Sequence, residues 1–236
     1  MIPNFGYMAK DPKSWHDLDS QPHPVFAAME EGAFATPWGA PGHFTFYSEE
    51  YWLHQVNAMR HLQHIRALMS VHGLVVSKKQ DISRLDAADI DGANRGADIL
   101  WFAITSFLQG YDDVRQNAYL GFTIWGYGHV FYPDEFDPTH LNLGRALGEM
   151  HRVDGAAGHC YVREFERGWA VVNPTYIPAK GIRVPTGSAR VLDHHTFEKP
   201  ESQPLVTSFD LPPHRGIILL KEGQPIGNAD AASAPK

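Results

Sequence analysis

The sequence predicts an α/β unit followed by an all-β unit: a parallel sheet covered by helices, then a small antiparallel domain of sandwich type. Three observations carry this. As far as Trp125, apolar strand-like runs alternate with stretches of helical period; after Asn142 that period is lost; and beyond it the apolar runs are short and separated by Pro and Gly. The expected boundaries are 1–156 for the strand–helix unit, 157–222 for the β-domain and 223–236 (GQPIGNADAASAPK) for a polar, disordered tail.

Ile2 to Ala9 and Val25 to Phe34 read as the first two buried strands, the second bracketed by Pro24 and Pro37. Ser48 precedes Glu49 and Glu50, so a capping hydroxyl and two acidic groups mark a helix start. From there Trp52, Val56, Met59, Leu62, Ile65 and Met69 recur at intervals of three or four, with Asn57, Arg60, Gln63 and Arg66 between them. The spacing predicts a helix ending near His72 and Gly73. Gly73 to Ser77 (GLVVS) then reads as a third strand, followed by a polar loop through Asp91. Ala93, Ala97, Leu100, Trp101, Ile104 and Leu108 restore the helical spacing up to a capping Gly110, and Ala118 to Trp125 is a fourth strand. Strand, helix, strand, helix, strand is the order of a parallel sheet.

In the second unit, His159 to Phe165 and Trp169 to Asn173 flank Glu166-Arg167-Gly168, a hairpin signal. Short strands are expected at Ile182 to Val184, Ala189 to Leu192, Leu205 to Phe209 and Gly216 to Leu220.

Composition excludes several roles. The 20 Lys and Arg are scattered among 27 Asp and Glu, a formal charge of −7, so nucleic acid is not an expected partner. No apolar run is long enough to cross a bilayer, and no membrane partner is expected. Cys160 stands alone, which fits a reducing compartment. The opening MIPNFGYMAKDPKSW has no basic segment leading an apolar one, so no secretory signal is expected and the cytoplasm is the default location. Aromatic residues make up 12%, and such rings with polar handles suit sugar-sized polar ligands.

The chemistry is expected at the carboxyl ends of the parallel strands, where such folds bind ligands. Met29-Glu30-Glu31-Gly32-Ala33-Phe34 places two carboxylates at the end of an apolar strand, a costly arrangement unless they are partnered or used. Because strand side chains alternate, only one of Glu30 and Glu31 faces a given cleft. The plain alternative is that the strand stops at Met29 and both are solvated loop charges. Trp38 and His43 follow in a Pro- and Gly-rich loop. Lys78 closes the third strand, and Trp125, Tyr127 and His129 close the fourth. Together these describe one substrate-binding rim, although Trp38 equally suits a ring packed over strand ends. Among 14 His, the His61/His64 pair and His194-His195 lack the carboxylate or Cys spacing of a known metal site, so neither metal nor cofactor is expected.

The order of pieces resembles the carboxyl-terminal half of TIM-barrel glycoside hydrolases that end in a β-sandwich. It is carried by MEEGAF, SEEYW, LWFAITSFLQG, HLNLGRALGE, YVREFERGWAVVNPT and LPPHRGIILL, and spans Ile2 to Leu220. The joining region, where LNLG, REFERG and VVNPT stand together, is its most specific part. The resemblance implies a partial, roughly half TIM barrel of four strand–helix units, and a protein acting on O-glycosidic bonds with carbohydrate as partner. It implies Glu31 as the catalytic acid or base, from the M-x-E match at the strand end, with Glu30 as the fallback. A second carboxylate would stand across the sugar, about 5–10 Å away. Half a barrel leaves two open sheet edges, so either an amino-terminal half-barrel is missing or the chain pairs with another copy. The alternative is a non-catalytic carbohydrate-binding protein on the same scaffold; a metal-dependent hydrolase ranks third.

Overall fold

Ala27–Glu31 forms the first strand, β1, of a computed structural model that describes residues 13, 17, 27–31, 34–36, 45–64, 68–74, 90–123, 134–137 and 140–227. The chain divides into two compact units, Met1–Phe131 and Tyr132–Lys236.

In the first unit, β2 (Ala35–Thr36) and β3 (Thr45–Phe46) pair as a short antiparallel ladder. Helix α1 (Glu49–His64) follows. The Ser48 hydroxyl accepts the Tyr51 N–H at 3.3 Å, and Glu49 and Glu50 occupy the first turn, so the cap and the dipole both favour this start. Strand β4 is Leu68–Leu74, helix α2 is Ile90–Gly110 and strand β5 is Ala118–Thr123. β1, β4 and β5 form a parallel sheet in that order. Glu30 lies level with Val71 and Leu120, and Glu31 with His72 and Gly121.

The two helices interlock through polar as well as apolar groups. Residues 99–107 of α2 are buried all the way round. Trp52, Val56 and Met59 bury one face of α1. The Trp52 indole N–H donates to the Ser106 hydroxyl at 2.9 Å. At Gly110 a Cβ would stand 2.4 Å from the Met59 methyl and 3.0 Å from the Val56 carbonyl oxygen, so the helices approach closely here and a larger residue would require Met59 to move. Gln63 ties the helix ends together. Its amide donates to the Met59 and Gly110 carbonyls at 3.0 and 2.9 Å, and its side-chain oxygen accepts the Asp112 N–H at 2.9 Å.

The expected half barrel is not what the described residues form. They contain one three-stranded parallel sheet with two long helices, while the largest sheet of the chain is antiparallel and six-stranded. An alternation of apolar runs and helical period specifies local strand–helix–strand pieces; it does not specify how many strands join or whether the sheet curls shut. The strand expected at Ile2 to Ala9 lies outside the described residues. Helix α1 also stops at His64 rather than near His72, and β4 starts at Leu68 rather than at Gly73. Met69 fits both a helical stripe and a strand, and pairing with Ala28 and Ala118 decides for the strand. No described helix is long and apolar enough to cross a membrane.

The second unit contains β6 (His151–Asp154), β7 (His159–Glu164), β8 (Gly168–Asn173), β9 (Ala179–Arg183), β10 (Ala189–Leu192), β11 (Leu205–Val206), β12 (Ser208–Leu211) and β13 (Arg215–Lys221). The antiparallel order is β11-β10-β13-β8-β7-β6, with β12 and β9 forming a separate pair. Alternate residues of the large sheet, Cys160, Val162, Trp169, Val171, Ile217 and Leu219, pack with Ala179, Ile182, Phe209 and Leu211 of the small one in a single apolar core. The β7–β8 hairpin turns at Glu166-Arg167, closed by the Phe165 N–H donating to the Gly168 carbonyl at 2.8 Å.

Candidate functional site

Strand β1 runs through both glutamates, and Glu30 is 1% exposed. A carboxyl group at a buried strand position is costly unless it is partnered, and Glu30 does have an interaction partner. Phe34, three residues beyond the end of the strand, is completely buried, with a backbone φ of 66°. A left-handed conformation costs a residue with a Cβ about 1–2 kcal/mol. The turn is held from the helix: the Phe34 N–H donates to the Gln55 side-chain oxygen at 3.0 Å. Gln55 is itself fully buried, and its Nε2 has no hydrogen-bond partner among the described residues.

Sequence reasoning passed over Gln55. The available signal was its place beside Val56 on the apolar face between Trp52 and Met59, where a leucine would ordinarily stand. It also took His72 for a helix end, whereas backbone pairing sets it level with Glu31 on the neighbouring strand. Of the other predicted rim residues, Trp38, His43, Lys78, Trp125, Tyr127 and His129 all lie outside the described residues. The described neighbours of that loop are aromatic: Tyr47 packs on Tyr51 with ring centroids 4.4 Å apart, and Phe46 meets Phe102 edge-on at 5.4 Å.

The motifs that carry the resemblance in the second unit are structural. Asn142 of LNLG accepts the Gly144 N–H at 2.7 Å, and Gly144, at φ 75°, lies flat against Glu166, where a Cβ would come within 2.4 Å of the carboxylate. The N–H groups of Glu166 and Arg167 donate to the Arg145 and Leu143 carbonyls at 3.0 and 2.9 Å. Arg145, through its backbone N–H and its guanidinium, holds the exposed Glu166 carboxyl below its ordinary range. Lys221 completes the clamp, donating to Glu164 at 2.7 Å and to the Phe165 carbonyl at 2.9 Å while resting over the Trp169 ring. Ile226 and Gly227 are pinned to the same place, since the Asn142 N–H donates to the Ile226 carbonyl and the Arg167 guanidinium to that of Gly227.

Asn173 of VVNPT is a buried hub. Its amide donates to the carbonyls of Ile177, Leu211 and Pro212 at 2.9–3.1 Å, and its oxygen accepts the N–H and hydroxyl of Thr175 at 3.0 and 2.8 Å. These contacts join the loop after β8 to the loop between β12 and β13. They leave no polar group over for a substrate.

Cys160 faces the apolar core of this unit, and burial, helped by the Asp154 charge, pushes its thiol up to about 12. It is a packing residue with no thiolate to offer at neutral pH. His194 and His195 stack with centroids 3.7 Å apart beside an Asp193 whose carboxylate accepts the His195 N–H and the Thr196 hydroxyl at 2.9 Å. Among the described residues no three His, Cys, Asp or Glu side chains gather as metal ligands would. No protein-family model matches the chain, and no curated protein matches it.

Proposed function

We propose that the chain is a glycoside hydrolase-like protein that acts on O-glycosidic bonds by carboxylate acid/base chemistry at the end of β1. The single observation behind this reading is that a parallel strand ends in Glu30-Glu31 with Glu30 buried. A carboxyl group at a strand end can serve as general acid or base in glycoside hydrolysis. Glu31, level with His72 and Gly121 on the neighbouring strands, is the proposed acid or base, and Glu30 the alternative. Adjacent residues of one strand face opposite ways, so the two do not serve as the pair. The second carboxylate comes from outside β1, from another segment or from another copy of the chain.

In this mechanism the acid protonates the glycosidic oxygen as the bond to the anomeric carbon breaks. The second carboxylate attacks that carbon or activates water against it. Incubation of the purified protein with p-nitrophenyl glycosides tests the reading. Turnover that falls by about a hundredfold or more in Glu31→Gln, with melting unchanged, supports it. The same loss confined to Glu30→Gln moves the role to Glu30.

A second reading, a carbohydrate-binding protein without turnover, is favoured by one fact: β1 offers no usable pair of carboxylates by itself. Binding of oligosaccharides in calorimetry, with no p-nitrophenol released from any glycoside, would select it.

A further inference from the structure

A polar residue in the apolar face of α1 is a poor choice for stability. Leucine or methionine would fill the place beside Val56, and neither would bury an amide N–H that finds no partner among the described residues. What Gln55 does provide is its oxygen, set 3.0 Å from the Phe34 nitrogen. Phe34 stands three residues beyond the carboxylate strand, and it holds a left-handed backbone that its own side chain disfavours. The helix carrying Gln55 is in turn anchored one turn earlier by the Trp52–Ser106 hydrogen bond to α2. A path of hydrogen bonds and helix thus runs from the buried segment of α2 to Phe34, three residues beyond β1.

We infer that Gln55 is a positioning residue for the Glu30–Glu31 strand end: by holding the Phe34 amide it fixes the backbone three residues beyond β1 and so constrains where the two carboxyl groups stand. This rests on the reading in which those carboxyl groups act on a glycoside. The position has been kept polar for geometry, at some cost in packing. Gln55 itself touches no substrate in this scheme. It works through the backbone.

The test uses the full chain in four forms: wild type, Gln55→Met, which removes the acceptor at near-constant volume, Gln55→Asn, which draws the acceptor back by one methylene, and Gln55→Glu, which keeps an oxygen at the same reach. Melting, amide exchange at Phe34, NMR titration of the Glu30 and Glu31 side-chain carboxyls, and hydrolysis of p-nitrophenyl glycosides are read on each. In Gln55→Met the Phe34 amide should exchange about tenfold faster or more and the carboxyl titrations should move, while melting is no lower than in wild type. Its kcat should fall about tenfold with KM nearly unchanged, because a displaced group weakens the chemical step more than binding. Gln55→Asn should follow it, and reads the same bond if Gln55→Met fails to fold. Gln55→Glu should restore Phe34 protection and most of the rate.

Unchanged exchange and titration in both Gln55→Met and Gln55→Asn would overturn the inference. So would losses that only track a lowered melting temperature. If the wild type cleaves no glycoside while exchange and carboxyl titration still respond to these variants, the hydrolase reading fails and the positioning role stands.

Discussion

The indole N–H of Trp52 meets the Ser106 hydroxyl at 2.9 Å in a seam where both residues are at most 1% exposed. It is the direct polar link from the middle of α2 to the first turns of α1, and its strength follows from its burial: the indole has no water to turn to if the hydroxyl is removed. Ser106→Ala should therefore destabilise the chain by about 1–3 kcal/mol, read as a lower denaturant midpoint with unchanged slope. A midpoint equal to wild type would mean that the indole finds another acceptor.

Replacing Asn173 by Asp should do more damage. The three carbonyl groups of Ile177, Leu211 and Pro212 would face a carboxylate in place of the amide that now donates to them. A loss of about 3 kcal/mol or more is expected, with the second unit unfolding first on heating. Proteolysis followed by mass spectrometry would show cleavage starting beyond Tyr132.

Acid should weaken the protein through His214. Its ring lies edge-to-face with Tyr176 at 4.4 Å, and it is 5% exposed. Burial first, and the Arg215 charge second, lower its pKa from 6.5 to about 4, against a smaller opposing hydrogen bond to the Pro174 backbone. With the folded-state value below the unfolded one, the unfolded chain takes up the proton first as pH falls. The stability it contributes is whole above about pH 6.5 and drains away down to about pH 4, by about 1–3 kcal/mol after allowance for screening. His214→Asn, a residue that tolerates the φ of 51° found here, should flatten the melting-temperature profile over that range. An unchanged slope would assign the acid sensitivity elsewhere.

Cys160 should resist thiol reagents in the native protein at neutral pH and react once the chain is unfolded, because its thiol is buried and pushed up to about 12. Rapid native labelling, timed with a colorimetric disulfide reagent, would show that β7 opens locally.

Much of the local structure was legible because it has local causes. Ser48 and the two acidic residues after it mark the start of α1, and the Glu166-Arg167-Gly168 turn marks the β7–β8 hairpin, where strand pairing then closes as the residue types require. Where the chain departs from the reading, the deciding interaction is distant in sequence. Met69 leaves the helix because Ala28 and Ala118 pair with it, and Gln63, set among the polar residues of α1, is fully buried because Gly110 and Asp112 need its amide. The number of strands in the parallel sheet is likewise a property of the closed fold and leaves no periodic trace. For the candidate site, the two glutamates were visible as charges on an apolar strand. Gln55 was not, since a single amide on a helix face carries no motif.

The place of β13 bears on how the second unit is made. It follows every other described strand of the unit in the chain, yet it occupies an interior position between β10 and β8. Without it, the other strands of the large sheet form two separate ribbons, β11-β10 and β8-β7-β6, each with an edge awaiting the same partner. A premature stop between Leu211 and Arg215 would thus split the sheet down its middle, whereas a stop beyond Gly227 would leave every one of these ladders whole.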